Sequence, residues 1–173
     1  MMKAIIVRAS AMALLAAAGL AAAPADAQSR RAPAVTSLPQ AVQGVWFKND
    51  AYGRERCADY KRVANARDTD TIWQALVLAN LITPRRMHAV AEYGEGNVYD
   101  VKSVGGDAKM GWTVNSTLTL DGGDPEPGNV RFQLKPLAGD KLQIMFVERG
   151  RITSTEVNFR CAPLSRFLLS QNR

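Results

Sequence analysis

Four stretches in the second half of the chain alternate apolar and polar residues with a period of two, and this pattern dictates extended structure with one buried face. Trp112, Val114, Leu118 and Leu120 share one side of a strand over 111–120, while Thr113, Asn115, Thr117 and Thr119 take the other. Val130, Phe132 and Leu134 alternate with Arg131, Gln133 and Lys135. Leu142, Ile144 and Phe146 alternate with Lys141, Gln143 and Met145. Val157, Phe159 and Cys161 alternate with Glu156, Asn158 and Arg160. Successive side chains of a strand point to opposite faces, so each stretch offers one apolar set to a core.

Short turn signals separate these strands. Gly105-Gly106-Asp107, the Gly/Pro-rich run from Asp121 to Gly128, Ala138-Gly139-Asp140 and Arg149-Gly150-Arg151 fall between them. Connections this short join antiparallel neighbours, because a parallel crossover needs about a dozen residues or more. Upstream, residues 87–93 and 98–104 form a further hairpin around Gly94-Glu95-Gly96-Asn97. The segment 71–82 fits two patterns: Ile72, Leu76 and Ala79 have helical spacing, whereas Leu76, Leu78 and the branched residues around them suit a strand. Pro84 ends either one. Residues 49–74 are less regular, an opening strand runs from Gln43 to Lys48, and residues 163–169 read as a short terminal helix with an apolar side. Roughly eight strands in a chain of this length imply a mainly β, antiparallel, closed or nearly closed barrel, with a two-sheet sandwich as the alternative.

The amino terminus reads as an export signal over residues 1–27. Lys3 and Arg8 precede an apolar run from Ala11 to Ala23, and Ala25-Asp26-Ala27 has the form of a cleavage site. That run is shorter than the roughly 20 residues a membrane-spanning helix needs. Residues 28–40, with two prolines and Arg30-Arg31, read as a flexible leader, and 41–173 as a single barrel domain. The expected location is periplasmic or secreted, without membrane insertion. Cys57 and Cys161 are the only cysteines, and in an oxidising compartment they are expected to join. Closing a loop of about a hundred residues stabilises a chain by about 4–5 kcal/mol on the entropy model. The net charge of +6 is spread along the chain instead of gathered in one stripe, which argues against nucleic acid as a partner.

Reactive motifs are scarce. His88 is the sole histidine, and no nucleophile turn of the Gly-x-Ser-x-Gly kind accompanies it. Glu92 and Glu95 flank Tyr93-Gly94 as solvated turn acids, and Asp121, Asp124 and Glu126 lack the spacing of a calcium loop. The expectation is therefore no catalytic residue, no metal and no cofactor in a non-enzymatic protein, expected to be monomeric.

Gly44-Val45-Trp46 resembles the Gly-x-Trp motif that opens lipocalins and the wider calycin group, which includes bacterial metalloprotease inhibitors. In that group a cation from the last strand packs across the tryptophan near the closed end of the barrel, and Arg160 stands in the matching place. The resemblance implies a barrel-closing pair of Trp46 and Arg160. It also implies a binding role, of which two forms follow. A hollow interior lined by Trp112, Phe132, Leu142, Ile144 and Phe146 would hold a small apolar ligand. A filled interior would leave the outer surface to grip an envelope protein, as an inhibitor or scaffold does. Aromatic content of only 7% gives no sign of an unusually large ligand cavity.

Overall fold

The computed structural model describes residues 35–171. The expected export signal, the first part of the expected leader and the last two residues lie outside the described residues. Eight strands, β1 (Gly44–Lys48), β2 (Asn80–Ile82), β3 (Arg86–Val90), β4 (Gly96–Asp107), β5 (Gly111–Leu120), β6 (Val130–Leu137), β7 (Lys141–Glu148) and β8 (Arg151–Ala162), form a closed barrel. Each strand is antiparallel to its sequence neighbours, and β8 returns to pair with β1. This is the expected class, compatible with a lipocalin-like fold. Closure leaves no long unpaired edge, which the alternating pattern by itself does not secure.

Three helices join the barrel: α1 (Ala51–Val63), α2 (Thr69–Leu76) and α3 (Arg166–Gln171). The first two occupy the segment that looked irregular. Asp50 caps α1 by accepting from Gly53 N at 2.7 Å, and Asp68 caps α2 by accepting from Asp70 N and Thr71 N. On α1 only Gly53, Cys57 and Tyr60 are buried. A stripe that narrow within a charged sequence gives a faint periodic signal.

The two patterns within 71–82 each hold for one half. The helix runs to Leu76, Leu78 takes a left-handed conformation (φ 69°), and β2 begins at Asn80. The left-handed residue lets the chain turn from helix into sheet within a few positions.

Two apolar cores result. One lies inside the barrel, with Trp46, Ile82, Met87, Trp112, Val114, Phe132, Leu134, Leu142 and Ile144 all buried. The other lies outside it, where Val45 and Phe47 of β1 and Cys161 of β8 pack with Cys57, Tyr60, Ile72 and Leu76 of the helices. Strand β1 is consequently buried on both faces. The apolar face of β8 is turned the same way. Its register sets Asn158 opposite Leu142 and Glu156 opposite Ile144, so Phe159 and Cys161 face the helical layer and not the lumen.

Residues 35–40, expected to be flexible leader, are packed against the barrel. Leu38 is buried in the lumen core and donates its N–H to the Pro84 carbonyl, while Val35 bridges to Val104. The buried Leu38 side chain and the backbone bridge of Val35 hold this short segment down, although the Val35 side chain stays exposed.

Candidate functional site

At one barrel end, a single turn of 3-10 helix, Gln40–Val42, leads directly into β1. Trp46 points inward beneath it and donates Nε1–H to the Val42 carbonyl at 2.8 Å. Arg160 comes across from β8, opposite Trp46 in the register, with Cζ 4.3 Å from the indole centroid. Its guanidinium also donates to the carbonyls of Gln43 and Ala41. Gly44 makes room for this arrangement: a Cβ there would stand 3.0 Å from Arg160 Nη1 and 3.1 Å from the Ala162 carbonyl. The floor of the barrel is thus one hydrogen-bonded unit of turn, indole and guanidinium.

Above that floor three rings cluster on the inner face of β4, β6 and β7. The rings of Tyr99, Phe132 and Phe146 lie with centroids 5.4–6.0 Å apart. Phe132, Leu134, Leu142 and Ile144 are essentially inaccessible, and Trp112 is buried beside them. Trp112, Phe132, Leu142 and Ile144 belong to one packed cluster, and Phe146 lies against it. Burial raises the Tyr99 phenol above its ordinary range, with the Glu156 charge acting in the same direction and a hydrogen bond to Asn97 opposing both.

Cys57 and Cys161 are bonded. The bridge ties α1, which follows the first strand, to β8, the last. The seam of the barrel is closed by the ladder between β1 and β8, and the sulfurs clamp the helical layer onto it.

His88 lies on the outer face of β3 beneath α2, 5.9 Å from the Trp73 ring. Its Nε2 is 3.0 Å from the Glu95 carbonyl, a contact that suits the neutral tautomer protonated at Nε2. Desolvation lowers its pKa, the Glu95 hydrogen bond opposes that effect, and the Arg86 charge adds to it. A buried neutral imidazole holding a turn carbonyl has a structural task. Asp121 likewise accepts from Gly96 N at 3.1 Å. Among the described residues, no three His, Cys, Asp or Glu side chains gather as a metal site. No helix among them is long and apolar enough to cross a membrane.

The outer helical face carries features that periodicity did not single out. A groove of about 400 Å³ runs between α1 and α2, with Tyr52, Arg56, Asp59, Arg62, Gln74 and Glu92 among its walls. Arg56 spans it, donating from Nη2 to the Gln74 carbonyl, with Nη1 3.5 Å from Asp59. Arg62 also pairs with Asp59, yet its side chain is 74% exposed. Next to Glu92, Tyr93 stands 78% exposed on a left-handed backbone (φ 55°). The visible signal for this face is the dense run of arginines and tyrosines from Tyr52 to Arg62, legible only once the segment is known to be helical. No family model matches the chain, and no curated protein or solved structure matches it.

Proposed function

We propose that this chain is a non-enzymatic exported binding protein of lipocalin-like type, an interaction module for an envelope protein that it grips with its outer surface. The observation that carries this reading is the continuous apolar cluster inside the barrel. The five residues expected to line a ligand cavity belong to or lie against one apolar cluster inside the barrel, which supports an interior closed to ligands. An eight-stranded barrel is at the size where side chains can fill the interior, and a filled barrel leaves recognition to its exterior.

The groove between α1 and α2 supports the location. Exposed tyrosine and arginine are the residue types that most often dominate binding energy at protein interfaces. The groove itself is balanced, with Arg56 and Arg62 against Asp59 and Glu92, while Arg54 and Lys61 give α1 as a whole a surplus of cations over Glu55 and Asp59, which favours an acidic partner surface around the groove.

The test is retention of a stoichiometric protein from envelope extract by the immobilised chain, at low and high salt, compared with an Arg62→Ala/Tyr93→Ala variant. The partner should be held by the unaltered chain, released as salt rises, and lost by the variant. Equal retention by both chains would refute the groove as the contact. A small molecule bound in the lumen, detected by native mass spectrometry, would refute the reading as a whole.

A further inference from the structure

Two arginines face one recess on the outer side of the sheet, where β5, the start of β6 and the turn after β7 come together. In the ladder Asn115 lies opposite Arg131, and Arg131 opposite Val147. All three point outward, since their neighbours Val114, Phe132 and Phe146 face the inner core. Ser103 Oγ accepts from Asn115 Nδ2 at 2.9 Å, and Asn115 Oδ1 accepts from Arg131 Nε at 3.1 Å. This chain of bonds holds the guanidinium by its Nε and leaves its two Nη groups free to donate. With Asn129, Arg149 and Gly150, these three outward residues line a recess of about 300 Å³. None of its walls is acidic, and among the described residues neither arginine forms an ion pair.

Arg149 stands where the turn favours a different residue. Strands β7 and β8 are joined by two residues, Arg149 and Gly150, both left-handed (φ 49° and 77°). Asn, Asp or Gly is the usual first residue of such a turn. The chain follows that preference at Asp121-Gly122 (φ 46° and 72°) and departs from it at Arg149. A residue that breaks a local rule at the wall of a recess points to a use for its side chain there.

We propose that this recess binds a terminal phosphate group, as inorganic phosphate or a phosphomonoester, between the forks of Arg131 and Arg149, with the Asn129 amide as a further donor. A phosphomonoester carries roughly −1.5 to −2 charges at pH 7 and three strong acceptor oxygens, which matches two cations and several donors. A carboxylate brings less charge and fewer oxygens to the same set. The planar arginine fork suits phosphate oxygens in pairs. Both arginines are exposed, so binding weakens as salt rises. The proposal is independent of the partner-protein reading, since neither Arg62 nor Tyr93 lines the recess.

The experiment is a titration of isotope-labelled protein, at constant ionic strength, with methyl phosphate, inorganic phosphate, dimethyl phosphate and acetate, followed by amide resonances. Methyl phosphate and inorganic phosphate should give saturable shifts at Asn129, Arg131, Val147 and Gly150. Dimethyl phosphate, with a single charge, should bind at least five-fold more weakly, and acetate should not saturate. Arg131→Gln should weaken methyl phosphate at least five-fold. Arg149→Asn should do the same while keeping or raising the melting temperature, because asparagine suits the left-handed turn; this separates loss of the site from loss of the fold. Vesicles of phosphatidylcholine with phosphatidic acid distinguish the source of the phosphate. Co-sedimentation that Arg131→Gln abolishes assigns a lipid headgroup, and saturable methyl phosphate without co-sedimentation assigns a soluble phosphate; both uphold the recess. Unsaturable shifts, acetate or dimethyl phosphate binding as tightly as methyl phosphate, or unaltered affinity in a folded Arg131→Gln or Arg149→Asn variant would overturn the proposal.

Discussion

Replacing Arg160 by alanine removes three interactions at the barrel floor together. The guanidinium donates to the carbonyls of Gln43 and Ala41 and lies over the Trp46 ring. A hydrogen bond from a charged donor contributes about 1.5–3 kcal/mol, and the half-exposed position argues for the lower figure. The cation over the indole adds about 0.5–1 kcal/mol at a site this open. The expected loss is about 3–4 kcal/mol, a large share of the roughly 5–15 kcal/mol that stabilises a typical domain. Urea unfolding followed by tryptophan fluorescence measures it, with a melting temperature lower by about 10–15 °C. Arg160→Lys keeps the charge and the apolar stem but loses the planar fork that reaches two carbonyls, so it should restore less than half of the loss. A double-mutant cycle with Trp46→Leu should return a coupling of about 0.5–1 kcal/mol. A loss below about 1 kcal/mol for Arg160→Ala, or full rescue by lysine, would refute the view that fork geometry at the floor holds the barrel end together.

Three further outcomes are expected. Converting Cys57 and Cys161 to alanine opens a link of sequence separation 104 and should cost about 4–5 kcal/mol; hydrogen exchange should show the loss of protection greatest in α1, where the helical layer is clamped. For His88, the folded-state pKa is depressed, so the unfolded chain takes up the proton first. Its contribution is complete above the ordinary histidine value of about 6.5 and falls as pH drops towards the lower folded value; His88→Gln should flatten urea-measured stability over that window. Gly53→Ala, which in an ordinary helix would stabilise by about 1 kcal/mol, should instead destabilise, because its Cβ would stand 2.0 Å from the Lys48 carbonyl oxygen. Chemical denaturation of the two chains gives the sign directly.

The strand count and the antiparallel order were legible in the sequence because alternation and short turns are local properties, written within a few residues of each other. The residues of the lumen core on β5, β6 and β7 follow from the same period. Which face of β8 turns inward was not legible there: Phe159 and Cys161 form as good an apolar set as Leu142 and Ile144, and only the helical layer of α1, α2 and α3 gives that outer set a place to bury. Helix α1 itself escaped notice because three buried positions make a weak stripe. Two cysteines invited a bond, but its joining of helix to barrel depended on how the chain between them folds. The rings of Tyr99, Phe132 and Phe146 on β4, β6 and β7 meet at 5.4–6.0 Å only because the closed sheet sets those strands side by side. Local pattern determines which face of each element is apolar; only the closed tertiary arrangement decides what that face meets.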